Sequence, residues 1–340
     1  ISNDLFELQY PSDKDDEIAR EQFNIRNLDL GVSFGTWVYF PWSKSLVRFP
    51  DKEDLRSLRT SRNRALITEE EQKKLYDSTI AVFGLSVGSN VVERLVSSGI
   101  GGKLIIGDMD TIEPSNLNRI NNSFLTVGAK KVHALGQKIS EIDPYIEQIH
   151  LENGVSQVEL DGIVTANKPD VIVDEIDDLT MKVELRSYAQ QNGIPLIMAT
   201  DVGDKSLIDV ERYDLPKSKT KPFHGKISQK NLDLIKGGKI SEQERAKILV
   251  KIVGLTNTTP RLVESAMKQG TELAGLPQLG STATIGGAFV TIATREILLG
   301  RKMKSGRSIV GPKNILDLES PTKLWYGVKT LGKFALKKSN

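Results

Sequence analysis

The sequence predicts a doubly wound α/β fold: a mostly parallel sheet covered by helices, with a small N-terminal extension and a crossover segment attached. Three observations predict it. From residue 79 onward, short apolar runs alternate with amphipathic stretches, the pattern of repeated βαβ units. The first of these runs passes directly into a glycine-rich turn, Gly84-Leu85-Ser86-Val87-Gly88, and a helical pattern follows. A chain of 340 residues, 39% hydrophobic and 26% charged, also holds enough apolar material for one large core with smaller appendages.

The elements follow in order. Residues 1–60 read as an N-terminal extension, mixed in composition and periodic nowhere for long, with strand character at 36–40 and 45–49. Residues 61–215 form the α/β unit proper. Its strands are expected at 80–84, 103–108, 145–151, 170–176 and 195–200, with one more near 207–215. Helical patterns lie between them at 89–98, 129–142 and 182–192. Residues 216–279 are a crossover segment, whose stretch 216–251 carries ten Lys or Arg against three acids. A solvated crossover and an electrostatic docking surface are both open readings of that excess. Residues 280–300, rich in Gly and Ala, read as a buried helix able to pack closely against the sheet, and 301–340 as a basic tail without a motif. The combination is Rossmann-like.

Composition removes several function classes. The sequence has no Cys, which excludes disulfides, thiolate zinc sites, iron–sulfur clusters and a cysteine nucleophile on this chain. Only His133, His150 and His224 supply imidazole, far apart in sequence, so a histidine-built metal site is not expected. No apolar run approaches the roughly 18 to 20 residues that a membrane span needs, and the first residues lack the features of a signal peptide. A cytoplasmic protein with no membrane partner is expected. A net charge of +2 gives no reason to expect a nucleic-acid partner.

The residues that carry chemistry cluster where the strands end. A glycine turn between strand and helix lets backbone N–H groups approach phosphate, which assigns Gly84, Ser86 and Gly88 to nucleotide binding. The next strand ends at Asp108, twenty positions after Gly88, where a carboxylate can accept from ribose hydroxyls. NAD, FAD and ATP all fit such a turn. A second acid, Asp110, then Asn116 and Arg119, follow at the same edge, and Lys131 stands in the next helix. Arg119 and Lys131 are two cations placed for a nucleotide's outer phosphates, and the strand at 170–176 delivers Asp177 and Asp178 to the same crevice. Carboxylates beside cations suit a triphosphate with Mg²⁺.

These motifs resemble the ThiF/MoeB superfamily, which includes the ubiquitin-activating enzymes and adenylates carboxylates with ATP. GLSVGS, DMD, SNLNRI, GAKK and EIDD stand in the family's order and at its spacing over roughly residues 62–300. The resemblance implies an adenylation domain over 61–215, in which Asp108 binds ribose and Asn116, Arg119 and Lys131 handle phosphates. It further implies that Asp177 holds Mg²⁺ near the α-phosphate. Ser61-Arg62-Asn63-Arg64 resembles the segment that lends an Arg to the neighbouring subunit, which makes Arg64 an arginine finger and the protein a homodimer. The chain departs from the pattern in three places. Its glycine loop is about one residue short, Ile120 and Asp178 replace a Gln and an Asn, and both the zinc motifs and the acyl-accepting Cys are missing. It is a non-typical member.

The reaction implied is attack of a carboxylate on the α-phosphate of ATP, giving an acyl-adenylate that passes to an external nucleophile. The carboxylate would be a small acid or the tail of a peptide or ubiquitin-like protein. Two rival readings stand beside it. An NAD-dependent oxidoreductase explains Gly84, Gly88 and Asp108 but leaves Arg119, Lys131 and Asp177 unused. A catalytically silent nucleotide-binding module explains the altered loop and the missing Cys.

Overall fold

Strand propensity and burial set the architecture of the computed structural model, which describes residues 1–29, 34–238, 240–254 and 257–311. The N-terminal part holds helices α1 (Ser2–Gln9) and α2 (Glu17–Asp29), a hairpin of β1 (Thr36–Phe40) and β2 (Ser45–Phe49), and helices α3 (Lys52–Thr60) and α4 (Glu69–Tyr76). The α/β unit then runs β3 (Thr79–Phe83), α5 (Gly88–Ser97), β4 (Lys103–Gly107), α6 (Lys131–Ile142) and β5 (Glu147–Leu151). Short turns of helix, α7 (Gln157–Glu159) and α8 (Thr165–Asn167), lead to β6 (Val171–Asp174), α9 (Leu179–Asn192), β7 (Leu196–Asp201) and β8 (Ser206–Glu211). Helices α10 (Gln229–Lys236), α11 (Glu242–Val253) and α12 (Pro260–Lys268) precede α13 (Gly280–Leu298) and β9 (Gly306–Val310).

One seven-stranded sheet organises the molecule, in the order β5-β4-β3-β6-β7-β8-β9. The first four pairings are parallel and the last two antiparallel. The doubly wound, mostly parallel α/β fold expected from sequence is the fold observed. Alternate residues along each strand serve opposite faces. Ile80 and Val82 pack with Val91, Val92 and Leu95 of α5, Val132 and Leu135 of α6, and Val290 and Ala293 of α13. Ala81 and Phe83 pack on the other side with Leu160, Val164, and Leu185 and Tyr188 of α9. Burial on both faces explains why these strands read as continuous apolar runs. The small residues of α13 do the work expected of them. A Cβ on Gly287 would stand 2.8 Å from the Asn90 backbone of α5, and one on Gly286 would stand 3.1 Å from Ala199.

Three regions differ from the sequence expectation. The extension expected to be irregular is largely helical, in segments too short for periodicity to show. Asp16 accepts from Ala19 N–H at 3.0 Å at the start of α2. The basic crossover is not a solvated strap. Leu232, Ile235, Ile248 and Ile252 form a third core with Leu179 and Val183 of α9, closed by Met198 and Phe223. Its charges also dock, with Arg245 2.8 Å from Asp178 and Lys236 3.6 Å from Glu184. The segment read as a motifless tail contributes β9, which extends the main sheet beside β8, while residues 312–340 lie outside the described residues.

Beneath the antiparallel corner lies a buried ionic network. Arg186, wholly buried, pairs with Asp174 at 2.6 Å and Glu211 at 2.7 Å and lies over the Phe223 ring at 3.8 Å. Lys182 also reaches Asp174, and Asp209 pairs with His224 and Arg307. Burial opposes charge on Asp174, but Lys182 and Arg186 outweigh it and hold that carboxyl below its usual range. Among the described residues no helix is long and apolar enough to cross a membrane.

Candidate active site

In a doubly wound sheet the ligand crevice opens where successive connections leave a shared strand pair in opposite directions. Here that pair is β3 and β6: the chain winds from β3 to β4 and β5 on one side, then returns to β6 and β7 on the other. The glycine turn follows β3 and the Asp177 segment follows β6, so chain order alone brings the two motifs together. Gly84 adopts a φ of +85°, and a Cβ there would lie 2.3 Å from the carbonyl oxygen of Glu175. Only glycine fits this crossing of two strand ends. Gly88 starts α5 with its Cβ position 3.1 Å from Val82, so the helix N-terminus is drawn down onto the sheet.

Asp108 and Asp110 divide their work. Asp108 is buried, accepting from Leu85 N–H at 2.6 Å through one oxygen and from Asp110 N–H at 2.8 Å through the other. Its carboxylate fastens the glycine turn to the end of β4. Asp110 stays open to solvent on the same turn and binds Lys131 Nζ at 2.8 Å, while Lys131 stands 3.6 Å from Asp108. The ammonium is buried to 8% side-chain exposure, so these two carboxylates are what make its charge tolerable there. Arg119 leans over the turn and donates from Nε to Ser86 Oγ at 2.8 Å and from its outer nitrogen to Ser115 O and Asn118 Oδ1. Its own carbonyl accepts from Asn90 of α5, so the loop is pinned at both ends. Partial burial pulls the Arg119 pKa down, and the nearby charges of Asp177, Asp201 and Glu113 oppose that.

Asn116 is buried, with Oδ1 accepting from Glu113 N–H at 3.2 Å. It closes the tight turn that carries the chain back to Arg119. Ile120, standing where a Gln was expected, is 5% exposed and belongs to the packing beneath the loop. Asp177 is exposed beyond the end of β6, whereas Asp178 caps α9 through Met181 N–H at 2.8 Å and is paired with Arg245. Arg64 alone lies apart: its guanidinium reaches Leu8 O and Glu69, neither of which belongs to the crevice.

Two carboxyls that the sequence did not single out complete the edge. Glu175, beside Gly84, is half-buried and accepts from Ala199 N–H; desolvation of its carboxyl pushes its pKa well above the usual range. Asp201 ends β7, and burial raises it to about 6 against the opposing charge of Arg119. Its position at a strand end, in the line PLIMATD, was the available signal. Two open hollows lie elsewhere, one between α1, α2 and the hairpin and one, lined by Glu70, Lys73, Lys74, Asp77 and Asp170, at the opposite ends of β3 and β6, away from the glycine turn. Among the described residues no three His, Cys, Asp or Glu side chains are grouped to hold a metal by themselves. A single exposed carboxylate such as Asp177 does fit Mg²⁺ shared with phosphate oxygens and water, the usual mode for that ion.

The sequence description of the ThiF family matches residues 60–237, more than half of the chain. The chain belongs to the ThiF family. It is 33% identical over 313 residues to the uncharacterized protein MT1398 of Mycobacterium tuberculosis (strain CDC 1551 / Oshkosh), covering 90% of this chain and 43% of that protein. It is 31% identical over 168 residues to the tRNA threonylcarbamoyladenosine dehydratase of Bacillus subtilis (strain 168), with 48% and 65% covered. The molybdopterin-synthase adenylyltransferase of Escherichia coli (strain K12) is 26% identical over 144 residues, 42% and 57% of the two chains. Thus the chain spans less than two thirds of each of these relatives. Among solved structures, PaaA superposes with a TM-score of 0.53 at 20% identity, covering 79% of this chain and 78% of that one, a likeness of fold.

Proposed function

We propose that this ThiF-family protein uses ATP to adenylate a carboxylate. The observation that supports the reading above all is the anchoring of Arg119 on Ser86 of the glycine turn, with Lys131 fixed between Asp108 and Asp110 close by. Two held cations over a phosphate-binding turn suit a triphosphate and have no task on a redox dinucleotide. In this reading the adenosine ribose lies over the carboxylates of Asp108 and Asp110, the more exposed Asp110 accepting from its hydroxyls. Arg119, Lys131 and the N–H groups at the start of α5 receive the phosphates, with Asn116 holding the loop in place.

A substrate carboxylate oxygen attacks the α-phosphorus; the new P–O bond forms as the bond to the β-phosphate oxygen breaks, and pyrophosphate leaves with the electron pair. The chain positions the reactants and neutralises charge that grows on the leaving group. Asp177 would hold Mg²⁺, which supplies further neutralisation at the phosphates. Arg64, exposed and remote from its own crevice, serves a second subunit in a symmetric homodimer. The substrate is a peptide or small-protein tail, a reading supported by the basic surface of the crossover.

Pyrophosphate exchange into ATP tests this. The protein is incubated with Mg·ATP, labelled pyrophosphate and a panel of small acids and peptides with free C-termini. The expected result is exchange with at least one carboxylate, lost in Asp177→Ala and Arg119→Ala. Exchange that persists in both variants would overturn the residue assignment.

A further inference from the structure

The two cations of the crevice are held in different ways. Lys131 sits between two carboxylates, whereas Arg119, among the described residues, forms no ion pair: its guanidinium donates to a hydroxyl, a carbonyl and an amide oxygen. The charges of Asp177, Asp201 and Glu113 all attract it. A half-buried arginine with acids around it and none in contact keeps its charge for a ligand only if its loop holds it off them. Of its three acceptors, Ser115 O and Asn118 Oδ1 belong to that same loop and only Ser86 to the glycine turn. The place of the guanidinium over the turn therefore depends on the place of the loop.

The loop takes its place from α5, the helix that begins at the glycine turn. Asn90 and Glu93 stand one turn apart on it, and both are buried. Asn90 Nδ2 donates to Arg119 O at 2.9 Å, and its Oδ1 accepts from Thr284 of α13 at 3.4 Å. Glu93 reaches the same loop two residues further on. One of its oxygens accepts from Asn121 Nδ2 at 3.0 Å and the other from Lys138 Nζ of α6 at 2.7 Å. Lys138 Nζ also donates to Asn121 O, so Asn121 is gripped at its side chain by α5 and at its carbonyl by α6. Ile120, between the two anchored residues, is buried. Residues 119, 120 and 121 are thus each fixed, and the charge of Glu93 is met by Lys138 rather than by Arg119.

We propose, resting on the adenylation reading, that Glu93 is a positioning residue: through Asn121 and Lys138 it sets the place of the Arg119 guanidinium over the glycine turn, and with it the grip on the pyrophosphate leaving group. Both oxygens of Glu93 are engaged by protein donors, and the pair it forms with Lys138 is neutral as a whole, so its effect on a phosphate passes through the loop. A stitch that served the fold alone would weaken every ligand of the crevice together when cut. A positioning role singles out ligands that carry the phosphates Arg119 meets. AMP, which lacks the outer phosphates, tells the two roles apart.

The test is calorimetry of Mg·ATP and of AMP, in one Mg²⁺ buffer, on the full chain as wild type, Glu93→Gln, Arg119→Ala and the double variant. Glu93→Gln keeps the size of the side chain and an acceptor for Asn121 but ends the ion pair with Lys138. Should it not fold, Asn121→Ala cuts the same link from the side of the loop. Glu93→Gln is expected to weaken Mg·ATP about fivefold, to leave AMP within about twofold, and to have no further effect once Arg119 is replaced, because residues that act through one contact are not additive. Equal weakening of Mg·ATP and AMP, an undiminished effect in the Arg119→Ala background, or Mg·ATP affinity unchanged by the substitution would overturn the positioning role and leave adenylation standing. A folded wild type that binds no Mg·ATP, or binds it equally well as Arg119→Ala, would overturn the adenylation reading and the positioning role with it.

Discussion

At Asp201, burial outweighs the nearby charge of Arg119 and makes the carboxyl hold its proton more tightly in the folded chain than in the unfolded one, about 6 against 3.8. The folded state therefore binds more protons between those values, and its stability falls as pH rises from about 4 to 6. Asp201→Asn removes that term. Thermal or urea unfolding is expected to show the variant gaining about 2 kcal/mol on the wild type between pH 4 and pH 8; a gap that does not widen with pH would contradict the burial argument. The candidate residues legible in the sequence were those carried by local motifs: Gly84 and Asp108 by a glycine turn followed by a strand-end acid, Asn116 and Arg119 by the resemblance of their stretch to a family motif. Asp201 and Glu175 were not legible. Their chemistry comes from the antiparallel pairing of β7 with β8 and from the cover of α13, contacts made across long sequence separations.

The elements tell the same story at larger scale. Strands β3, β4, β6 and β7 were readable because both faces are buried and the runs are apolar throughout. The hairpin was readable too, and β1 and β2 match the expected bounds. Helices α10 and α11 sit in a stretch whose charge dominates its composition, and only the spacing of Leu232, Ile235, Ile248 and Ile252 signals a buried face. Strand β9 is five residues long and joins the sheet at its edge, too short a run to announce itself. The tightest element junction is the crossing of the β3 and β6 ends at Gly84. Gly84→Ala forces a Cβ against the Glu175 carbonyl and a positive φ on a residue that resists it. A loss of more than about 2 kcal/mol is expected in chemical denaturation, with nucleotide binding reduced alongside. A neutral substitution would mean the turn is looser than its geometry.

For the whole molecule, the seven-stranded sheet places a cationic loop, the glycine turn and an exposed carboxylate at one edge, while Arg64 lies outside that edge on the N-terminal part. If Arg64 completes the site of a second copy, variants defective in different halves should rescue each other. Neither Arg64→Ala nor Asp177→Ala alone should support pyrophosphate exchange, whereas a mixture allowed to exchange subunits should recover about a quarter of the wild-type rate, one intact site in each mixed dimer. Failure of rescue in a dimeric protein would remove Arg64 from the neighbour's site.

The central claim, that a triphosphate occupies this crevice, is tested most directly by calorimetry of Mg·ATP and NAD⁺ on the wild type and Arg119→Ala. Arg119 is half-buried and its loop is also held by Asn90, so the variant is expected to fold. Mg·ATP should bind the wild type more tightly than NAD⁺, and the variant should lose about tenfold or more of that affinity, the scale of a charge-assisted contact to phosphate. Tighter binding of NAD⁺, or Mg·ATP affinity unchanged by Arg119→Ala, would contradict it.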